Sequence, residues 1–178
     1  MINWQTKKLG EICEIKTGKW DANHAIENGK YRFYTCAYEY IFCNTKRFSG
    51  ENLILPGNGV NVGEVFYYNG EFDAYQRTYV ISNIKIFPKL LFYHLLCFWK
   101  ERNLNKQFGS ATNFLKIGNF LNYEVSYPES LLEQQAIVKK LDALSEQTKK
   151  LEGVYKQKLA DLEELKKSIL NKAFSGEL

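Results

Sequence analysis

LLEQQAIVKKLDALSEQTKKLEGVYKQKLADLEELKKSILNKAFSGEL runs from Leu131 to Leu178. Read in sevens, Leu141, Thr148, Tyr155, Leu162 and Ile169 recur in one series, and Ile137, Leu144, Leu151, Lys158 and Leu165 in a second. The two series interleave in steps of three and four, the a/d spacing of a coiled coil. Eight of the ten seam positions are apolar or aromatic. The two exceptions, Thr148 and Lys158, are the kind of polar seam residue that sets register and partner at some cost in stability. No proline interrupts the run, and Gly153 is its one glycine before Gly176. A helix of about 40 residues is roughly 60 Å long, against about 11–12 residues for the average globular helix. Alone, such a helix leaves its seam in water. The spacing therefore predicts a partner helix, from a second copy or another protein, meeting Ile137, Leu141, Leu144, Leu151, Tyr155, Leu162, Leu165 and Ile169.

Outside this stretch the composition changes. Residues 1–130 hold 25 of the 27 aromatics, and the tail keeps only Tyr155 and Phe174. The first part can build a core and the second is a charged helix, so two domains are expected, 1–130 and 131–178. Lys and Arg exceed Asp and Glu by three in the first part and by one in the second. That mild basic balance permits a nucleic-acid partner without arguing for one. The opening MINWQ has no apolar signal-peptide core. The longest apolar run, Leu90 to Trp99, is too short for a bilayer and reads as a buried helix. Cys13, Cys36, Cys43 and Cys97 lack Cys-x-x-Cys spacing and read as reduced core thiols. A cytoplasmic protein with no membrane partner is expected.

Working back through residues 1–130, the elements alternate. Leu9, Ile12 and Ile15 are spaced for one helical face. Lys16 to His24 is a polar loop. Tyr31–Cys36, Tyr38–Cys43 and Glu51–Leu55 are strand-prone, the last stopped by Pro56-Gly57. Val65–Tyr68 and Glu71–Ala74 flank Asn69-Gly70, which predicts a hairpin with a type I′ turn. Tyr75–Ile81 and Ile84–Phe87 continue the strand signals. Pro88 opens a helix to Asn103 that is apolar on nearly all sides, and Lys106–Asn113 is a polar loop. The class is α+β, an aromatic-rich domain with a twisted mixed sheet, followed by one long helix. There is no internal repeat.

Catalytic signals are thin. GNGVNVG (57–63) has neither the dinucleotide spacing nor a following Gly-Lys-Ser/Thr, so it reads as a tight turn whose asparagines can face a ligand. Glu14 and Lys16 have the Glu-x-Lys spacing of metal-dependent nucleases, but the only acid upstream is Glu11, three residues away. His24 and His94 have no Cys or Ser partner for covalent catalysis, and His94 reads as a satisfied core residue. No cofactor or metal site is expected. The stronger pattern is a set of polar, basic and aromatic loops: Lys16, Lys19, Trp20 and Asn23; Asn58 and Asn61; Tyr75, Gln76 and Arg77; Ser110, Thr112, Asn113 and Lys116. Arg on guanine and Asn or Gln on adenine are common bidentate base contacts, while Lys, Ser and Thr hold phosphates. Taken singly, each of these residues also suits a solvated loop.

Several pieces together resemble half of a type I restriction-modification specificity subunit. They are Trp4 with KLGEI (8–12) and Gly18-Lys19; GNGVNVG (57–63) and RTYV (77–80); YPESLLEQQAIV (127–138) with Leu141-Asp142; and LKKSIL (165–170) with AFSGEL (173–178). The resemblance implies a non-catalytic subunit whose target recognition domain reads one half of a split double-stranded DNA site. It also implies antiparallel long helices that space two such domains and dock methyltransferase subunits, with restriction subunits added outside. The usual member carries two recognition domains and two helical regions; this chain has one of each. It is then either a half-subunit that forms a homodimer or part of a longer chain. Two readings from other classes stand beside it. One is a structural coiled-coil adaptor that binds only protein; the other is a nuclease using Glu11, Glu14 and Lys16.

Overall fold

Strand alternation decides how the core is divided. In GluAsnLeuIleLeuPro, strand β5 (Glu51–Pro56), Leu53, Ile54 and Leu55 are all fully buried. Successive side chains of a strand point to opposite faces. Leu53 and Leu55 accordingly join one cluster and Ile54 joins another. A strand covered on both faces reads as a continuous apolar run.

The computed structural model describes residues 3–103 and 113–177. The chain divides into two compact units, one within residues 1–138 and the other within 139–178. The described elements, besides β5, are β1 (Trp4–Lys8), α1 (Leu9–Ile12), β2 (Glu14–Thr17), a 3-10 turn (Ala22–His24), β3 (Tyr31–Tyr34), β4 (Ile41–Cys43), β6 (Phe66–Asn69), β7 (Phe72–Ala74), β8 (Thr78–Ser82), α2 (Pro88–Asn103), α3 (Ile117–Leu121), β9 (Glu124–Pro128) and α4 (Leu131–Ser175). The α+β class with a long C-terminal helix is thus observed. The strands form three sheets, β1-β9, β2-β8-β5-β6 and β4-β3-β7. Parallel pairing among the named strands is confined to β3 with β7.

One face of the four-stranded sheet, through Leu53, Leu55 and Ile81, shares a cluster with Leu90, Leu91, Leu95 and Trp99 of α2. The other face, through Ile54 and Val80, packs with Tyr34, Phe72 and Ala74 of the three-stranded sheet. Each fully buried Leu or Ile contributes on the order of 1.5–3 kcal/mol. Gln134 is buried in the first turn of α4. Its Oε1 accepts the Phe87 N–H at 2.8 Å and its Nε2 donates to the Pro128 carbonyl at 2.8 Å. That amide ties the start of α4 to β9 and to the start of α2, and Val138 and Ile137 pack on the core beside it.

Six expectations change. Ile84–Phe87 forms no strand: β8 ends at Ser82 and α2 begins at Pro88. The Asn69-Gly70 hairpin does not form: β6 pairs with β5 and β7 pairs in parallel with β3. A type I′ turn needs positive φ at both central residues, and among the described non-glycine residues only Asn83 has one. The edge of β7 is instead taken by Phe48, with Phe72 N–H donating to its carbonyl at 3.0 Å. Leu9 and Ile12 make a single helical turn, while Ile15 lies on β2. Helix α2 buries one stripe and leaves Leu96 and Phe98 exposed. Cys97 is exposed and Cys36 half-buried, so only Cys13 and Cys43 are core thiols. His94 is not satisfied: its Nδ1 has no partner among the described residues, and burial pushes its pKa down to about 4. Among the described residues no helix is long and apolar enough to cross a membrane.

Candidate nucleic-acid interface

Antiparallel pairing brings three loops to one end of the four-stranded sheet. Thr17, at the end of β2, pairs with Tyr79, and Pro56, at the end of β5, pairs with Thr78. The chain leaving β2, the chain leaving β5 and the turn leading into β8 therefore share one edge. Backbone bonds lock them: Gly57 N–H to Arg77 C=O at 2.9 Å, Gly18 N–H to Thr78 C=O at 3.2 Å and Gln76 N–H to Trp20 C=O at 2.9 Å. Two glycines permit this approach. A Cβ on Gly18 would lie 1.8 Å from the Ala74 carbonyl oxygen, and one on Gly57 would lie 2.3 Å from that of Arg77. Thr78 N–H donates to Tyr75 C=O at 2.9 Å, closing a tight turn with Gln76 and Arg77 exposed at its corner. The segment from Asn113 joins the same edge. Gly59 N–H donates to Asn113 C=O at 2.8 Å, and Leu115 N–H to Gly57 C=O at 2.9 Å.

These loops enclose a cleft of about 370 Å³ lined by Asn58, Gln76, Arg77, Tyr79, Phe114 and neighbouring backbone. It combines an amide pair, a guanidinium and apolar ring surface, the groups that read base edges and methyls. Of the loop residues singled out in the sequence, Asn58, Gln76 and Arg77 line it and Asn113 adjoins it. The Gln76 amide also donates to the Asp21 carboxylate. Lys19 lies on the adjoining loop, its Nζ 5.7 Å over the Trp20 ring, and Asn23 is exposed on the 3-10 turn that follows. Lys116 is exposed at the N-cap of α3, its backbone N–H accepted by Asn119 Oδ1 at 2.9 Å.

Other positions are committed elsewhere. Asn61 Nδ2 donates inward to the Cys36 carbonyl at 2.9 Å. Tyr75 is half-buried, its N–H on the Tyr34 carbonyl at 2.9 Å. Trp20 stacks on His24 with centroids 4.1 Å apart, and its indole N–H donates to Asp73 Oδ2 at 3.1 Å. Lys16 pairs with Glu14 at 2.6 Å. That ammonium, aided by Asn83, holds the Glu14 carboxyl below its ordinary value. Glu11 accepts the Lys8 N–H at 3.2 Å, so the two carboxylates of the nuclease reading serve different partners. Among the described residues no three His, Cys, Asp or Glu side chains gather as a metal site. Ser110 and Thr112 lie outside the described residues.

Two features were missed in the sequence. Val60, between the two asparagines of the glycine loop, is 98% exposed; only its flanking glycines hinted at a projecting tip. The second is an aromatic cleft of about 800 Å³ whose lining includes Tyr34, Tyr38, Tyr40 and Phe66. There the Arg32 guanidinium lies 4.1 Å from the Tyr40 ring centre and 4.3 Å from that of Tyr68, a cation held on ring faces. Read as a plain strand, Tyr31–Cys36 carried no signal of this. Along α4, Leu144, Leu151, Tyr155, Leu162, Leu165 and Ile169 are exposed. Leu141 is partly buried, and Ile137 packs on the core of residues 1–138.

Known proteins resemble this chain. The type I restriction enzyme EcoDI specificity subunit of Escherichia coli is 35% identical over 177 residues, which cover 99% of this chain and 39% of that protein. A solved structure describing complex assembly and conformational transition of the type I restriction-modification system aligns with a TM-score of 0.77 at 23% identity, over 98% of this chain and 46% of that one. The S subunit of a type I system from M. genitalium aligns with a TM-score of 0.70 at 18% identity, over 82% of this chain and 40% of that one. The solved structures show the fold, and the chain spans less than half the length of each of these relatives. Residues 1–163 match the model of the type I restriction modification DNA specificity domain, and the chain belongs to that family.

Proposed function

We propose that this chain is a non-catalytic DNA reader. In this reading residues 1–130 form a target recognition domain for one half of a split duplex site, and residues 131–178 form the helix that joins two copies in antiparallel pairing. The homodimer then holds methyltransferase and restriction subunits on one DNA in the cytoplasm. The observation that carries the reading is the cleft at the sheet end, where Asn58, Gln76 and Arg77 converge on a backbone-locked frame. Lys19 and Lys116 sit on adjoining segments as candidate phosphate contacts. The exposed seam of α4 supports the pairing, since a long apolar row left in water marks an interaction surface.

Selection of bound sequences from a random duplex pool, followed by titration at several salt concentrations, tests this reading. Salt-sensitive, sequence-preferring binding is expected. Lys19→Ala and Lys116→Ala should weaken binding to all duplexes alike, each lowering the salt slope by about one. Arg77→Ala should instead cost about 1–3 kcal/mol at one preferred base pair. Absence of salt-sensitive binding favours the adaptor reading, and magnesium-dependent cutting by the purified chain favours the nuclease.

A further inference from the structure

A single exposed valine on a surface is ordinary. Val60 differs because its loop is held by bonds to other segments while its own side chain is 98% exposed. Below it, Val62 and Val65 are buried in the main cluster. Beside it, Gly59 donates to the Asn113 carbonyl at 2.8 Å and Asn61 Nδ2 to the Cys36 carbonyl at 2.9 Å. Within the loop, Val62 N–H bonds Gly59 C=O at 3.3 Å and Glu64 N–H bonds Asn61 C=O at 3.0 Å. Gly59, at φ +86°, and Gly63, at φ +110°, take the left-handed turns that this fold of the loop requires. A stiff β-branched side chain is thus held out in water, two residues from Asn58 in the reading cleft. Asn61, the polar neighbour that reads from sequence as a base contact, is turned inward.

We infer that Val60 is a specificity-determining residue that packs on the 5-methyl group of a thymine in the bound half-site. Apolar contact with that methyl is the one base-edge feature in the major groove that a side chain without hydrogen-bonding atoms can read. A loop ordered beforehand makes the contact without ordering cost at binding. The inference rests on the proposed DNA-reading role.

The test starts from a duplex selected by the wild-type chain. Each thymine is replaced in turn by uracil, which keeps the pairing and removes only the methyl. At one position the replacement should weaken wild-type binding roughly fourfold, the effect of burying one methyl group. Val60→Ala should bind the thymine duplex weaker by a similar factor and should no longer distinguish thymine from uracil there. Because Val60 is 98% exposed, the thermal midpoint of the variant should match wild type. The inference is overturned if no thymine responds, if Val60→Ala binds as wild type, or if it loses affinity while keeping the wild-type discrimination. A wild-type chain that selects no sequence at all brings down the DNA-reading role itself, a distinct result.

Discussion

Asp73 is 1% exposed, yet its carboxylate is fully used. Oδ2 accepts the Trp20 indole N–H at 3.1 Å and the Thr45 hydroxyl at 2.7 Å, while Oδ1 accepts the Ala74 N–H at 2.8 Å. Thr45 Oγ1 also meets His24 Nε2 at 2.8 Å. Bonds to an ionised acceptor are stronger than neutral ones, and this set anchors the loop that carries Lys19 and Trp20 onto β7. Asp73→Ala should remove all three bonds and leave the part-buried Trp20 indole N–H without its acceptor, at about 1–3 kcal/mol for such a group. A lower urea midpoint with a normal slope would show it, and an unchanged midpoint would remove the anchor from the account. None of this was visible in the sequence, where Trp20 reads as the aromatic of a polar, basic loop. The network joins residues 20, 24, 45 and 73, and no local spacing announces a contact between distant loops.

At the scale of the element, α4 is the piece whose character is most local. Its 45 residues span about 68 Å at roughly 1.5 Å each. The seam was legible because a heptad pattern depends only on positions within the same helix. One of its two polar exceptions is also handled locally, with Thr148 Oγ1 donating to the Leu144 carbonyl at 3.0 Å. If the seam joins two copies, replacing Leu151 and Leu162 together by Asp should give monomers, because both side chains are more than half exposed and the helix has no packing to lose there. Sedimentation equilibrium reads this directly, and an unchanged mass would assign the seam to another partner. The Asn69-Gly70 turn is the opposite case. Its two strands each found better partners elsewhere, so a strong local signal was overridden by sheet pairing.

For the assembled protein the proposed dimer makes a metric prediction. A two-fold pair of identical readers selects a palindromic split site, the same half-site inverted. Deleting one heptad, Leu144 to Lys150, keeps the seam in phase and shortens each helix by roughly 10 Å. At about 3.4 Å per base pair, the preferred spacer should shrink by roughly 3 base pairs with both half-sites unchanged. The accompanying rotation of roughly 100° about the duplex should lower affinity as well. Competition between duplexes that differ only in spacer length checks this. If the shortened protein keeps the parental spacer, α4 does not set the separation.

The long helix, its seam, the α+β class and a strand over Glu51–Leu55 were legible in the chain, because each rests on the order of residues within one segment. The loops after β2 and β5 were legible as loops, because glycine, asparagine and lysine break such order, whereas Gln76 and Arg77 fell inside the strand-prone run Tyr75–Ile81 and lie instead in the turn before β8. Which loops meet was another matter. The pairing of Thr17 with Tyr79 and of Pro56 with Thr78 sets Lys19, Asn58, Gln76 and Arg77 around one sheet end, and pairing partners far apart in sequence leave no periodic trace. Orientation within a loop was equally hidden. Asn61 turns in and Val60 turns out because a carbonyl of a distant segment, Cys36, is placed to accept the amide. A side chain's direction there follows from long-range hydrogen bonds, and those exist only once the chain has folded.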